Sequence, residues 1–271
     1  MGSLSDFSEL ELLDHVFSAA YSPVATVYLA LCTADPTDAG TGASMNECAN
    51  SGSYARKAIA FGAAASRRIT QSGVVTFDAA TGAWGTVSHW ALVDSGTYGA
   101  GNLLASGAFA VSKSIVSGNT PSVADAQVYT EYSAGEISTY LANKLLDLMF
   151  RNQAYSKPAT HVALAVSALA DADTDITAKE CSGTSYARKQ VNINGGSSPT
   201  WDLAASGVVD NTHAVTFPTA GGTWSTIVGV GICDAATTGN LLFYDNTQAD
   251  QAVGSGDTVS YAVGVLDIEM S

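Results

Sequence analysis

The chain is 271 residues long and 46% hydrophobic, enough for one large core or two of ordinary domain size. Charged residues make up only 13% of it and there are 26 glycines, a composition that favours a β-rich, turn-rich protein over a charged helical bundle. Eleven Lys and Arg against 25 Asp and Glu leave a net charge of −14, which repels phosphate backbones and anionic lipid and so argues against direct nucleic-acid or membrane binding.

The opening Met1-Gly2-Ser3-Leu4-Ser5-Asp6 lacks the basic start and apolar run of a signal peptide, and no segment approaches the roughly 18 apolar residues of a membrane helix. The expectation is a chain made in the cytoplasm that stays soluble. Ser8-Glu9-Leu10-Glu11 has the form of a capping box, with Leu10, Leu13, Val16 and Phe17 following on one helical face. Pro23 stops that helix and Thr26–Leu31 reads as a buried strand. An acidic loop, Asp35–Gly42, leads to Ser53-Tyr54-Ala55-Arg56-Lys57, then Val75-Thr76-Phe77, Trp84-Gly85-Thr86-Val87, Ala91-Leu92-Val93-Asp94 and Gly101-Asn102-Leu103-Leu104. A Gly-led hairpin at Gly118 and a strand at Ala126–Tyr129 close the series.

The same blocks then recur in the same order. A helical stripe of Ile137, Tyr140, Leu141, Leu145, Leu148 and Met149 follows Ser133-Ala134-Gly135-Glu136, and Leu145-Leu146-Asp147 repeats Leu12-Leu13-Asp14. Ser185-Tyr186-Ala187-Arg188-Lys189, Val215-Thr216-Phe217, Trp224-Ser225-Thr226-Ile227, Val230–Asp234 and Gly239-Asn240-Leu241-Leu242 match in turn. Tyr54 to Tyr186, Trp84 to Trp224 and Asn102 to Asn240 are offsets of 132, 140 and 138 residues. The chain is a tandem duplication with repeats at 1–132 and 133–271. Short strands at 8–12 residue spacing after one helix predict a mainly β fold: two antiparallel sandwiches of the Ig or jelly-roll kind, each preceded by an amphipathic α-helix.

Little in the sequence nominates chemistry. Asp171-Ala172-Asp173-Thr174-Asp175 starts like a calcium loop, but Ile176 and Ser182 stand where Gly and Glu are needed, so a solvated acidic loop is expected. There is no G-x-S-x-G elbow, and His15, His89, His161 and His213 do not recur in register. No catalytic group, metal site or cofactor is expected. Cys32, Cys48, Cys181 and Cys233 have no metal-ligand spacing, leaving buried free thiols or disulfides open. Cys48 and Cys181 fall at similar points of the two copies, whereas Cys32 aligns with Ser167 and Cys233 with Val93. Arg56 and Arg188 recur where basic residues are scarce, and each is expected to fork onto a recurring carboxylate, Asp94 and Asp234 respectively. Trp84 and Trp224 are expected as core or interface anchors, as are Leu13 and Leu146 on the helices.

The blocks Tyr-Ala-Arg, Val-Thr-Phe, Trp84 through Asp94, Gly-Asn-Leu-Leu and Gly256–Ile268 resemble a family of structural proteins of tailed bacteriophages, labelled tail-fibre or virion proteins. Its members are often single units about half this chain's length, opening with a Leu-Leu-Asp helix. The resemblance implies a non-enzymatic component of the tail, neck, collar or head surface, synthesised in the host cytoplasm and located in the virion. Its expected partners are itself, in a ring of three, six or twelve, and other virion proteins. The rival reading is a host-receptor or glycan-binding module of a tail fibre, working through exposed aromatics and acidic loops.

Overall fold

In the computed structural model, which describes residues 2–270, hydrophobic alternation and turn chemistry give 19 strands and two helices. Met1 and Ser271, the outer bounds of the expected repeats, lie outside the described residues. The first half contains β1 (Gly2–Leu4), α1 (Asp6–Phe17), β2 (Val27–Cys32), β3 (Lys57–Ile59), β4 (Arg68–Thr70) and β5 (Val75–Thr76). It continues with β6 (Gly85–Val93), β7 (Leu103–Ile115), β8 (Ser122–Val123) and β9 (Tyr129–Glu131). The second half contains α2 (Thr139–Arg151), β10 (Thr160–Ala165), β11 (Lys189–Val191), β12 (Val208–Asp210), β13 (Val215–Thr216) and β14 (Ser225–Ile227). It ends with β15 (Gly229–Cys233), β16 (Leu241–Asp245), β17 (Gln251–Val253), β18 (Ser260–Tyr261) and β19 (Asp267–Glu269). Among the described residues no helix is long and apolar enough to cross a membrane.

Neither helix starts where the capping-box pattern puts it: α1 begins three residues earlier and α2 five residues later. Ser5 caps α1, accepting from Ser8 N–H, and Ser138 caps α2, accepting from Leu141 N–H. Ser8 is inside the helix, where its hydroxyl donates to Leu104 O at 2.7 Å. Both cap hydroxyls also donate to the sheet, Ser5 to Leu103 O and Ser138 to Leu241 O. Each cap therefore ties its helix to an adjacent strand as well as satisfying a free amide.

In the first half the seven-stranded sheet runs β3-β2-β6-β7-β1-β9-β4. It then closes on itself, because Phe61 bridges Gln71, Gly62 N–H donates to Thr70 O and Ser72 N–H to Ala60 O. These hydrogen bonds trace one curled sheet rather than the two facing sheets expected. The physical reason is β1, which bonds β7 on one side and β9 on the other and so removes two free edges. The β1–β9 pairing at Gly2 and Thr130 is parallel; the other strand pairings are antiparallel. In the second half a four-stranded sheet, β11-β10-β15-β16, and the pair β12-β19 remain separate.

Adjacent leucines lie about 100° apart on a helix, so Leu12 with Leu13, and Leu145 with Leu146, can be buried together only if each helix is covered on more than one side. All four are fully buried. The cover comes from the opposite half: Phe17 of α1 packs edge-on against Trp201 at 4.9 Å, and Phe150 of α2 packs against Phe61 at 5.5 Å. The largest buried cluster consequently runs through both halves as one core, with a small satellite in each half.

Candidate functional site: the crossed helices and the two arginine clasps

The repeated Leu-Leu-Asp ends in a carboxylate that reaches across the molecule. Asp14 Oδ1 accepts from Ala204 N–H and Asp147 Oδ1 accepts from Ala64 N–H, both at 2.9 Å. The receiving segments are matching hairpins, with Ala65 bridged to Arg68 and Ala205 to Val208. Their central residues, Ser66-Arg67 and Ser206-Gly207, all have positive φ, as a type I′ turn requires. The exchange is reciprocal, helix one to hairpin two and helix two to hairpin one, as in a two-fold isologous interface. Further links are one-sided: Asn143 Oδ1 accepts from Arg67 N–H at 2.9 Å, and the Arg67 guanidinium forms an ion pair with Asp171.

His15 lies in this seam. Its Nδ1 accepts from Tyr21 N–H at 3.1 Å and its Nε2 lies 2.9 Å from Tyr155 O. That assigns a neutral ring with the proton on Nε2, and burial lowers its pKa, with Lys157 acting in the same direction and the Tyr155 carbonyl opposing. Glu9, half-buried on α1, has its pKa raised to about 7, first by burial and then by Asp38, Asp6 and Glu269.

The recurring arginines are positioned by the turn into β3 and β11, and neither pairs with the aspartate expected of it. Arg56 Nε and Nη2 grip Glu47 at 2.9 and 2.8 Å, while Nη1 donates to Ser95 O and Ala100 O and Nη2 also to Gly42 O, each at 2.8 Å. All five guanidinium donors are thereby used. Arg188 grips Glu180 at 2.9 and 2.7 Å and reaches Ala235 O and Thr238 O. Tyr54 and Tyr186 complete the clasps. Their hydroxyls donate to Glu47 and Glu180 and accept from Leu31 N–H and Leu164 N–H. Burial and then the neighbouring glutamate raise both phenol pKa values well above the ordinary range. The matching Tyr bonds align Cys32 with Ala165 rather than with Ser167.

Asp94 and Asp234 have a different partner. Asp94 accepts from the backbone and side-chain amides of Asn102, both at 2.7 Å, and Asp234 accepts likewise from Asn240 at 2.6 and 2.7 Å. Gly101 and Gly239 precede those asparagines at φ +83 and +79, where a Cβ would meet the carboxylate oxygen at 2.3 and 2.4 Å. The Gly-Asn dipeptide is thus a turn lock. The glutamates went unnominated in the sequence although Glu-Cys recurs, as Glu47-Cys48 and Glu180-Cys181; only the cysteines of that pair had been aligned.

Trp84 and Trp224 are 2% and 1% exposed. Their indole N–H groups donate to Gly52 O and Thr184 O at 2.8 Å, and their rings meet Tyr54 and Tyr186 edge-on. Leu13 and Leu146 are fully buried in the helices. Trp90 and Trp201 are buried too, so no Trp offers a face to a sugar. The acidic loop is engaged internally: Asp171 with Arg67, Asp173 with Lys179 at 2.6 Å, and Asp175 with Thr177. Cys32, Cys48, Cys181 and Cys233 are free and buried. Burial raises the pKa of every one of these thiols, those of Cys48 and Cys233 to about 12, which suppresses thiolate chemistry.

Chemically, this arrangement fixes loops and joins halves: the clasp glutamates are held by arginine and tyrosine, and the recurring aspartates by amides. No curated protein matches the chain. A family model described as "Podophage GP4 fiber I protein gp80" matches it twice, over residues 3–131 and again over 136–269. With nearly all of its length covered by those two matches, the chain belongs to the podophage fibre I protein gp80 family, a phage structural protein present here in tandem duplicate.

Proposed function

We propose that the chain is a non-enzymatic structural component of a tailed-phage virion, in the tail, neck or collar, or on the head surface. In this reading it is a fused pseudo-dimer of units 1–132 and 133–271, each a helix and a curled β unit. The observation that carries the proposal is the reciprocal Asp14–Ala204 and Asp147–Ala64 contact, because a unit whose helix is completed by its sibling is built for association. The recurring polar groups also serve turns and clasps rather than a cleft with a free acid, base or nucleophile.

Symmetric contacts between copies would then form a ring of three, six or twelve, with other virion proteins as neighbours. Electron cryomicroscopy of the intact particle, with light scattering on the purified protein, tests this. The expected result is symmetry-related copies in the particle and a defined oligomer in solution; isolated, unsymmetrical copies in the particle would overturn the reading.

A further inference from the structure

Each half has a place for a strand between the β7-type edge and the β9-type edge, and the two halves treat it differently. In the first, β1 lies there: Gly2, Ser3 and Leu4 pair with Gly107, Ser106 and Ala105, and Gly2 pairs with Thr130 on the other side. Trp90 forms the floor so closely that a Cβ on Gly2 would sit 2.2 Å from its ring. In the second half only the end of that pairing survives, with Ile137 bridging Phe243 and Tyr244 N–H donating to Glu136 O at 2.7 Å. Gly135 and Glu136, at φ +109 and +62, turn the chain out of line because it arrives from Tyr132. The residue facing Asp245 in the register, where Trp90 faces Gly107, is Val230.

The smaller floor leaves a cavity of about 270 Å³ between Val230 and β19. It adjoins one of about 230 Å³, which shares Glu136, Phe243 and Glu269 with it. Met270 N–H donates to Gly207 O, and the two-residue alternation of an antiparallel pair then turns the backbone of Asp267 and Glu269 away from β12, toward the cavity. The rim is acidic, with Glu136, Asp245, Asp267 and Glu269 lining it, and Val265 is 56% exposed at the mouth.

We propose that this groove is a strand-acceptor site: an extended segment of a partner virion protein, carrying one large apolar side chain and flanking Lys or Arg, inserts between β16 and β19. Backbone hydrogen bonds to the free edge supply affinity, the apolar side chain takes the place that Trp90 fills in the first half, and the four carboxylates select basic flanks. The first half supplies the template, since β1 completes the same slot from within the chain. The source of the strand rests on the reading of this protein as a virion component; the groove itself does not.

The test uses the purified full-length protein and blocked octapeptides in which Lys alternates with Val around a central Trp, with Glu replacing Lys in a matched set. Calorimetry and amide hydrogen exchange are the readouts. The Lys peptides are expected to bind at least tenfold tighter than the Glu peptides and to protect the Asp267 and Glu269 amides. Val230→Trp is expected to weaken binding at least tenfold with an unchanged or higher unfolding midpoint. Should Val230→Trp fail to fold, Val230→Met and Val265→Arg carry the same expectation in smaller degree. No binding by either set, undiminished binding by the Val230 and Val265 variants, or protection confined to other strands would overturn the proposal. A protein that forms no ring leaves this outcome unaffected, so the two readings fail separately.

Discussion

The two halves share one plan, and their differences follow from where each can tolerate exposure. In the first clasp the Arg56 and Glu47 side chains are 0% and 4% exposed and the guanidinium has five acceptors. In the second, Arg188 and Glu180 are 2% and 9% exposed and the contact matching Gly42 is absent. The first curled sheet is closed over Trp90, whereas the second stays open over Val230. A duplicated unit thus keeps its clasps and crossed helices, which hold the fold together, and relaxes at the strand that merely closes it.

The most severe way to probe this contrast is to break the clasps one at a time. Arg56→Ala strands a buried carboxylate and is expected to cost about 4 kcal/mol, near the middle of the range for half-broken buried pairs. Arg188→Ala is expected to cost about 1 kcal/mol less, because its glutamate is wetter. Urea unfolding at pH 7 measures both, and equal losses would remove the claimed difference between the halves.

Trp90→Val gives the first half the floor residue of the second. It is expected to cost about 3 kcal/mol through the cavity it opens, with faster amide exchange at the Ser3 and Leu4 positions of β1. An unchanged exchange pattern would mean that β1 does not depend on this floor.

Asp14→Ala and Asp147→Ala each remove one arm of the reciprocal contact and are expected to cost about 1–2 kcal/mol apiece by leaving a hairpin amide without its acceptor. Asp147→Ala is the costlier, since Asp147 also holds Arg151 at 2.9 Å. Exchange at Ala204 and Ala64 respectively is the specific readout, and acceleration confined to the mutated helix's own half would contradict the crossing.

The smallest effect is a pH dependence on one side only. Glu9 ionises at about 7 in the folded protein and near 4.3 unfolded, so its contribution is fully present below the unfolded value and is lost as pH rises through about 7. Glu9→Gln is expected to stabilise at pH 8 by about 1 kcal/mol, less than full linkage because the group is half in water, and to change little at pH 4. The second half should show no such dependence at the matching position, which is the buried Ala142.

The duplication, the strands and the identity of the repeated side chains were legible because repetition marks what each unit needs. Partners chosen by folding were harder to read. Arg56 had both Asp94 and Glu47 within the same repeat, and only the three-dimensional path of the loop before Tyr54 brings Glu47 to it. Sheet closure was illegible for a different reason: Gly2-Ser3-Leu4 is too short to carry a period of two, and Trp90 and Val230 look alike as apolar strand residues. The hairpin at Ser66-Arg67 lacks glycine and so carries no turn signal, although its twin at Ser206-Gly207 has one. The helices were found, but their true caps, Ser5 and Ser138, are recognisable only once their hydroxyls are seen on the neighbouring strand.

Fusing two crossed siblings has a consequence for stoichiometry and direction. Identical partners in a free pair would offer every surface twice, and any guest would arrive in duplicate. Covalent linkage lets Val230 diverge from Trp90 without losing the crossing, so the pair acquires a head and a tail and can admit one guest for every two units.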